Sequence, residues 1–210
     1  ANNRNKRSVV LDLKQAGDLE TFYALVRHAD AVFYNFSLGV VERLKIDPDS
    51  LLAHNPRLVV CNITGFGREG PNAARRAVDL VIQSLAGAMS ITGEPDGAPV
   101  RAGVPTADLS CGLFATIGIL AALQERQRTG KGGVVETSLF HAQASLLNYI
   151  GSYALYADQD PQRLGSAHPG TVPSQTFRAA DGWITIDAGF NKHFEALCSV
   201  LDRKDLSGDP

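Results

Sequence analysis

Three short apolar runs, residues 8–13, 31–34 and 58–63, constrain this chain more than anything else in it. None shows the polar alternation of a strand with one wet face, so each has to be covered on both faces. Segments with helical spacing lie between them, as in residues 15–29, where Leu19, Phe22, Leu25 and Val26 share a face. The alternation predicts βαβ units and a parallel sheet between layers of helix, an α/β fold.

Further along, residues 39–44 and 47–55 read as helices, the second stopped by Pro56, and residues 65–76 as a loop rich in Gly, Pro and Arg. Helices follow at 79–91 and, after a turn at 94–97, at 109–128. In the latter, Leu109, Leu113, Ile117, Leu120 and Leu123 form the expected buried stripe. A fourth strand at 134–138 leads into a helical run at 139–158. Residues 159–175 read as a linker, 176–188 as a hairpin turning at Asp181 and Gly182, and 192–201 as a helix. The expected domains are a large parallel-sheet domain over 1–158 and the beginning of a smaller α+β domain over 176–210.

With 44% hydrophobic residues in 210, the chain can bury a real core. Its net charge of −2 gives no general attraction to nucleic acid or to an anionic membrane, so an anionic ligand has to be held by a local cluster. Cys61, Cys111 and Cys198 are odd in number and widely spaced, as expected of reduced thiols in a cytoplasmic compartment, or the mitochondrial matrix in a eukaryote. The five histidines lack HxH or HExxH spacing, so no metal site is expected. No run of about 20 apolar residues stands out as a membrane span. The first residue is not Met and the last ones follow a helical pattern directly, which suggests a fragment lacking residues at both ends.

The glycines at 130, 132 and 133 follow a helix and precede a strand, the reverse of a phosphate loop, so Gly130 is expected to cap a helix C-terminus with Lys131 near its negative end. Asp108 stands before the long helix, where an Asp ordinarily caps the free amides. The small residues after it, Ser110, Cys111, Gly112, Ala115, Thr116 and Gly118, leave a bare surface that admits a ligand, and a carboxylate at a helix N-terminus is kept ionised for nucleophilic work. Cap and nucleophile both remain open on these grounds. His168, within Gly165-Ser166-Ala167-His168-Pro169, reads as an ordinary loop histidine. Arg4, Lys6, Arg7, Arg43, Arg68, Arg75 and Arg76 fall near strand ends, where a phosphate-bearing ligand needs cations.

Read in order, several segments resemble the class III coenzyme A transferases, the family of formyl-CoA transferase, carnitine CoA transferase and the α-methylacyl-CoA racemases. They are Asn5-Lys6-Arg7-Ser8 through Lys14, Asn35-Phe36 with Gly39 and Glu42-Arg43-Leu44, and Thr64-Gly65-Phe66-Gly67 with Gly70-Pro71. Thr92-Gly93, Ala107-Asp108-Leu109 with Gly112, Arg128-Thr129-Gly130-Lys131-Gly132, and His168-Pro169 with Pro173, Gln175 and Phe177 complete the series. The resemblance implies a Rossmann-like large domain, a small domain, an interlocked homodimer, and a full length about twice this one.

It also implies acyl-CoA and a small carboxylic acid as substrates, without a metal. Asp108 matches the family's nucleophilic aspartate, which forms an anhydride and then an aspartyl-CoA thioester. Asn35, Phe36 and Arg43 match CoA-contacting positions, Arg76 matches a basic position along the cofactor, and Lys6, in the first matching segment, is a further expected cofactor-binding residue. Tyr34 departs from the acidic residue often found there, and Val78 from an aromatic residue or, in racemases, a catalytic His. A racemase needs two acid/base groups about the α-carbon, so Val78 favours transfer of CoA over racemisation. The alternatives are an acyl-CoA racemase or isomerase using Asp108 as a proton carrier, and a CoA-binding protein without catalysis.

Overall fold

The computed structural model describes residues 3–207, which divide into two compact units. One contains the chain up to Ala86 together with Gly103–Asn148; the other contains Gly87–Ala102 and the chain from Tyr149 onward. The division falls after Asn148, earlier than the boundary expected at 158.

The first unit is built on three parallel strands in the order β1 (Ala31–Tyr34), β2 (Val59–Thr64), β3 (Gly133–Ser138). Val32 pairs with Val60, and Val60 with Val134. Around the sheet lie α1 (Ala16–Val26), α2 (Val40–Arg43), α3 (Pro48–His54), α4 (Asp79–Leu85), α5 (Thr106–Thr129) and α6 (Leu139–Ser145). The α/β class and the parallel sheet are therefore as expected. Tyr23, Val26, Val41, Ile46, Leu51, Leu58 and Val60 form the main core between α1, α2, α3 and the sheet. Leu51 and Leu58 are wholly buried, each contributing about 1.5–3 kcal/mol of transfer free energy. Asp47 starts α3 by accepting the Ser50 amide at 3.0 Å, with Pro48 in the first turn.

Several expectations are corrected. Residues 8–13 are not a strand: they join no ladder, and Val9 and Val10 are exposed. The helix expected over 79–91 stops at Leu85, because Gly87 adopts φ 89° and a short 3-10 turn, Ala88–Ser90, follows. The helical run over 139–158 is two helices, α6 and α7 (Asn148–Tyr156), broken where Asn148 adopts φ 49°.

The largest correction concerns α5. It starts three residues earlier than expected, so Asp108 lies inside its first turn rather than before it. Its buried face is Ala107, Ser110, Cys111 and Ala115, while Leu109, Leu113, Ile117 and Leu120 are more than half exposed. The small residues let the helix backbone settle close to the sheet: a Cβ on Gly118 would lie 2.6 Å from Val135 Cγ1. At its far end the Arg126 guanidinium donates to the Arg57 carbonyl at 3.1 Å and to Asp30 Oδ1 at 2.8 Å, tying the helix to the entry of β1. Among the described residues α5 alone is long and apolar enough to cross a membrane by length and composition, with hydropathy 1.7, which corrects the expectation that no such run is present. Its Ser110, Cys111 and Ala115 face packs on β2 and β3.

Gly130 caps α5 in the left-handed conformation, φ 73°, with its amide donating to the Arg126 carbonyl at 2.9 Å, as expected. In the second unit, β4 (Ser174–Arg178) and β5 (Trp183–Asp187) form the expected antiparallel hairpin, followed by α8 (Asn191–Val200).

The turn from α5 into β3 generates a paired prediction. A Cβ on Gly132 would lie 1.9 Å from the Leu58 carbonyl oxygen, whereas one on Gly133 meets nothing within 4 Å. Gly132→Ala is expected to cost about 2–3 kcal/mol in urea unfolding, and Gly133→Ala less than about 0.5 kcal/mol. Equal costs would contradict this packing.

Candidate active site

Each strand of the parallel sheet ends at the same edge, and the loops leaving that edge frame an open cleft of about 860 Å3. Its walls are the Tyr34–Leu38 stretch after β1, the Thr64–Gly67 stretch after β2, residues 73–79 ahead of α4, and the first turn of α5. Because α5 feeds β3 through a tight turn, it runs back along the sheet and its N-terminus arrives at this edge. Asp108 faces the cleft from there, with Cys111 and Gly112 one turn on.

Asn35, Phe36, Arg76, Val78 and Asp108 all line the cleft. Arg43 and Lys6 do not: Arg43 is exposed at the end of α2, and Lys6 is exposed near Asn3, with Nζ 3.5 Å from Asn3 Oδ1. Of the loop arginines, Arg68 is held by Glu42 at 2.7 Å and lies 3.7 Å from Glu136. Arg75 lines the cleft and stands over the Phe66 ring at 5.7 Å. Arg75 and Arg76 are thus the cleft's cations.

The first turn of α5 is organised from outside the helix. Pro105 precedes it and has no side chain able to cap. The Asp79 carboxylate from α4 does so instead: Oδ1 accepts the Ala107 amide at 2.9 Å and the Asp108 amide at 3.3 Å. Its other oxygen accepts from Gln83 Nε2 at 2.6 Å, and Gln83 is buried. The Thr106 hydroxyl donates to Gln143 Oε1 at 2.8 Å on α6. Asp79 escaped sequence reading because it lies far from α5 in the chain and looks like an ordinary first-turn acid of its own helix.

This arrangement reverses one expectation. A helix N-terminus was expected to favour the ionised form of Asp108, yet partial burial and then repulsion from Asp79 push its pKa upward. Burial also raises the Cys111 thiol, as does the nearby Asp108 charge, so Cys111 is held as a thiol and not as a thiolate. Tyr34 is pushed up to about 12, chiefly by burial, and its buried hydroxyl has no hydrogen-bond partner among the described residues. No histidine lines the cleft, and no group of three or more His, Cys, Asp or Glu placed to hold a metal occurs among the described residues.

The sequence model of CoA-transferase family III matches residues 1–210. The chain belongs to that family. Among family III relatives, it is 39% identical over 201 residues to the succinate–glutarate CoA-transferase of Agrobacterium fabrum, covering 96% of this chain and 50% of that protein. It is 39% identical over 209 residues to the acetyl-CoA:oxalate CoA-transferase of Acetobacter aceti, covering 99% and 54%. The crystal structure of a CAIB/BAIF family protein from Brucella suis superposes with a TM-score of 0.86 at 40% identity, covering 99% of this chain and 55% of that one. This family III chain therefore spans about half the length of the relatives it matches.

The raised pKa of Asp108 has a consequence for stability. An acid whose folded pKa exceeds its unfolded value destabilises the fold once ionised, so stability falls as pH rises through that window. Asp108→Asn is expected to raise the melting temperature of the complete protein at pH 7, the gain vanishing below about pH 4. A gain equal at pH 3 and pH 7, or none at pH 7, contradicts this environment.

Proposed function

We propose that this chain is the catalytic part of an enzyme that moves CoA from an acyl-CoA to a free carboxylic acid, with Asp108 as covalent nucleophile. The observation that carries the reading is a partly buried carboxylate at the carboxyl edge of the sheet, in the cleft, within a family III chain. The relatives named above exchange CoA between small acids by their names, which makes a dicarboxylate such as succinate or glutarate a reasonable partner.

The chemistry needs no net proton transfer. An Asp108 oxygen attacks the thioester carbonyl carbon, the C–S bond breaks, and CoA thiolate leaves an acyl-aspartyl anhydride. The thiolate then attacks the Asp108 carbonyl carbon, releasing the acyl group as its carboxylate and forming an aspartyl-CoA thioester. The acceptor carboxylate displaces CoA in turn through a second anhydride, and attack of the thiolate on the acceptor's carbonyl frees Asp108. A carboxylate is a weak nucleophile, so positioning and donors for the tetrahedral oxyanion supply most of the rate. Arg75 and Arg76 supply positive charge for the CoA phosphates, and Asn35 and Phe36 contact the cofactor where its arm enters the cleft.

Among the described residues no histidine lines the cleft, and its other acid/base groups are ill suited to proton abstraction, Tyr34 and Cys111 having raised pKa values and Asp79 having both oxygens engaged, which favours transfer over racemisation. In the complete protein Asp108→Ala is expected to lower CoA transfer roughly 10³-fold or more. Incubation with acyl-CoA in heavy water without an acceptor acid is expected to give no α-proton exchange. Exchange under those conditions that is lost in Asp108→Ala, with no CoA transfer by the wild type, supports the racemase instead.

A further inference from the structure

We propose that Asp79 is the positioning residue for Asp108: its carboxylate replaces the missing local cap of α5, fixes that helix's first turn, and so holds the nucleophile toward the cleft. The inference deepens the transferase reading and rests on it for the meaning of Asp108, but the geometry stands by itself. Pro105 offers no capping side chain, and the amides of Ala107 and Asp108 both donate to the one Asp79 oxygen. Gln83, buried beneath, orients the other oxygen, and Gln143, also buried, holds Thr106 on the opposite side of the turn. The turn carrying Asp108 is thereby bound at Thr106, Ala107 and Asp108 itself by side chains from two other helices. A nucleophile as weak as a carboxylate gains most from such fixing, because displacement by about 1 Å costs on the order of 100-fold in rate.

Asp79 does a second thing. The amides it engages are those a first-turn carboxylate would otherwise use for its own stabilisation, and it adds a negative charge close by. Other ionisable groups on the surrounding elements are Tyr34 on β1, Arg75 and Arg76 ahead of α4, His141 on α6, Glu136 on β3, Cys61 on β2 and Cys111 on α5. Beyond loss of solvent, the influence that raises the Asp108 pKa is the charge of Asp79. A more basic carboxylate is the better nucleophile in its ionised form.

Two variants of the complete protein separate positioning from mere folding, with Asp47→Ala, which removes the cap of α3, as the structural control. Carboxyl ¹³C NMR of aspartate-labelled protein, with the Asp108 signal assigned by its loss in Asp108→Asn, reads the titration directly. Asp79→Asn keeps an acceptor for the two amides but removes the charge, so the Asp108 midpoint is expected to fall by at least about half a pH unit, and the acid limb of kcat to follow. Asp79→Ala is expected to lower kcat by about tenfold or more with KM for acyl-CoA unchanged within twofold, Asp79→Asn to recover most of that loss, and Asp47→Ala to leave kcat unchanged. An Asp108 midpoint identical in wild type and Asp79→Asn, or an Asp79→Ala kcat within twofold of wild type, overturns the proposal. Should Asp79→Ala fail to fold, the Asp79→Asn titration decides alone. Because that titration needs no turnover, an inactive Asp79→Asn is still judged by it, and an active Asp108→Ala would sink the transferase reading without touching it.

Discussion

The site depends on how closely α5 lies against the sheet. Its Ala107, Cys111, Ala115 and Gly118 side leaves so little between helix and strands that a single Cβ at Gly118 would overlap Val135. A helix set this near, returning into β3 through Gly130 and the tightly held Gly132, has its N-terminus at the carboxyl edge of the sheet. The cleft follows from that placement, since the loops after β1 and β2 end beside the same turn. The packing of small residues thus does for the fold and for the site what a larger apolar stripe could not.

That packing also explains what could and could not be read from the sequence. The continuous apolar run at 58–63 marks the central strand, whose residues 59–62 are buried on both faces, whereas β1 leaves Phe33 exposed and β3 leaves Val134 and Glu136 exposed, so the sheet is not covered on both faces throughout as expected. The stripe of α5 was misread since hydrophobic spacing identifies an apolar face but cannot say which face a sheet will accept; here the small face fits and the leucines stay outside. The run at 8–13 is as apolar as a strand, but a strand exists only with a partner, and none is present among the described residues. Asn35, Phe36, Arg76 and Asp108 were brought together as a linear reading suggested, whereas Arg43 and Lys6 stayed outside the cleft. Asp79 was invisible for the simplest reason: its partners are amides on another helix, and an amide has no signature in sequence.

The electrostatics of the cleft are set by two acids with different tasks. Asp79 is satisfied on both oxygens by Gln83 and by the amides of α5, and serves structure. Asp108 is partly desolvated beside that charge and is the more basic for it. A fold that keeps an ionised acid in such a place gives up some stability there, which is a common property of sites shaped for chemistry. Cys111, one turn from Asp108 along the helix, is kept as a thiol by burial and by the Asp108 charge.

The central claim is that Asp108 becomes covalently attached to the group being moved. The most direct measurement is hydroxylamine trapping in the complete protein: incubation with acyl-CoA, addition of hydroxylamine, and peptide mass spectrometry. An anhydride or thioester at Asp108 would be converted to a hydroxamate on that residue, formed only when acyl-CoA is present. An Asp108 peptide that stays unmodified while CoA transfer proceeds would contradict the account.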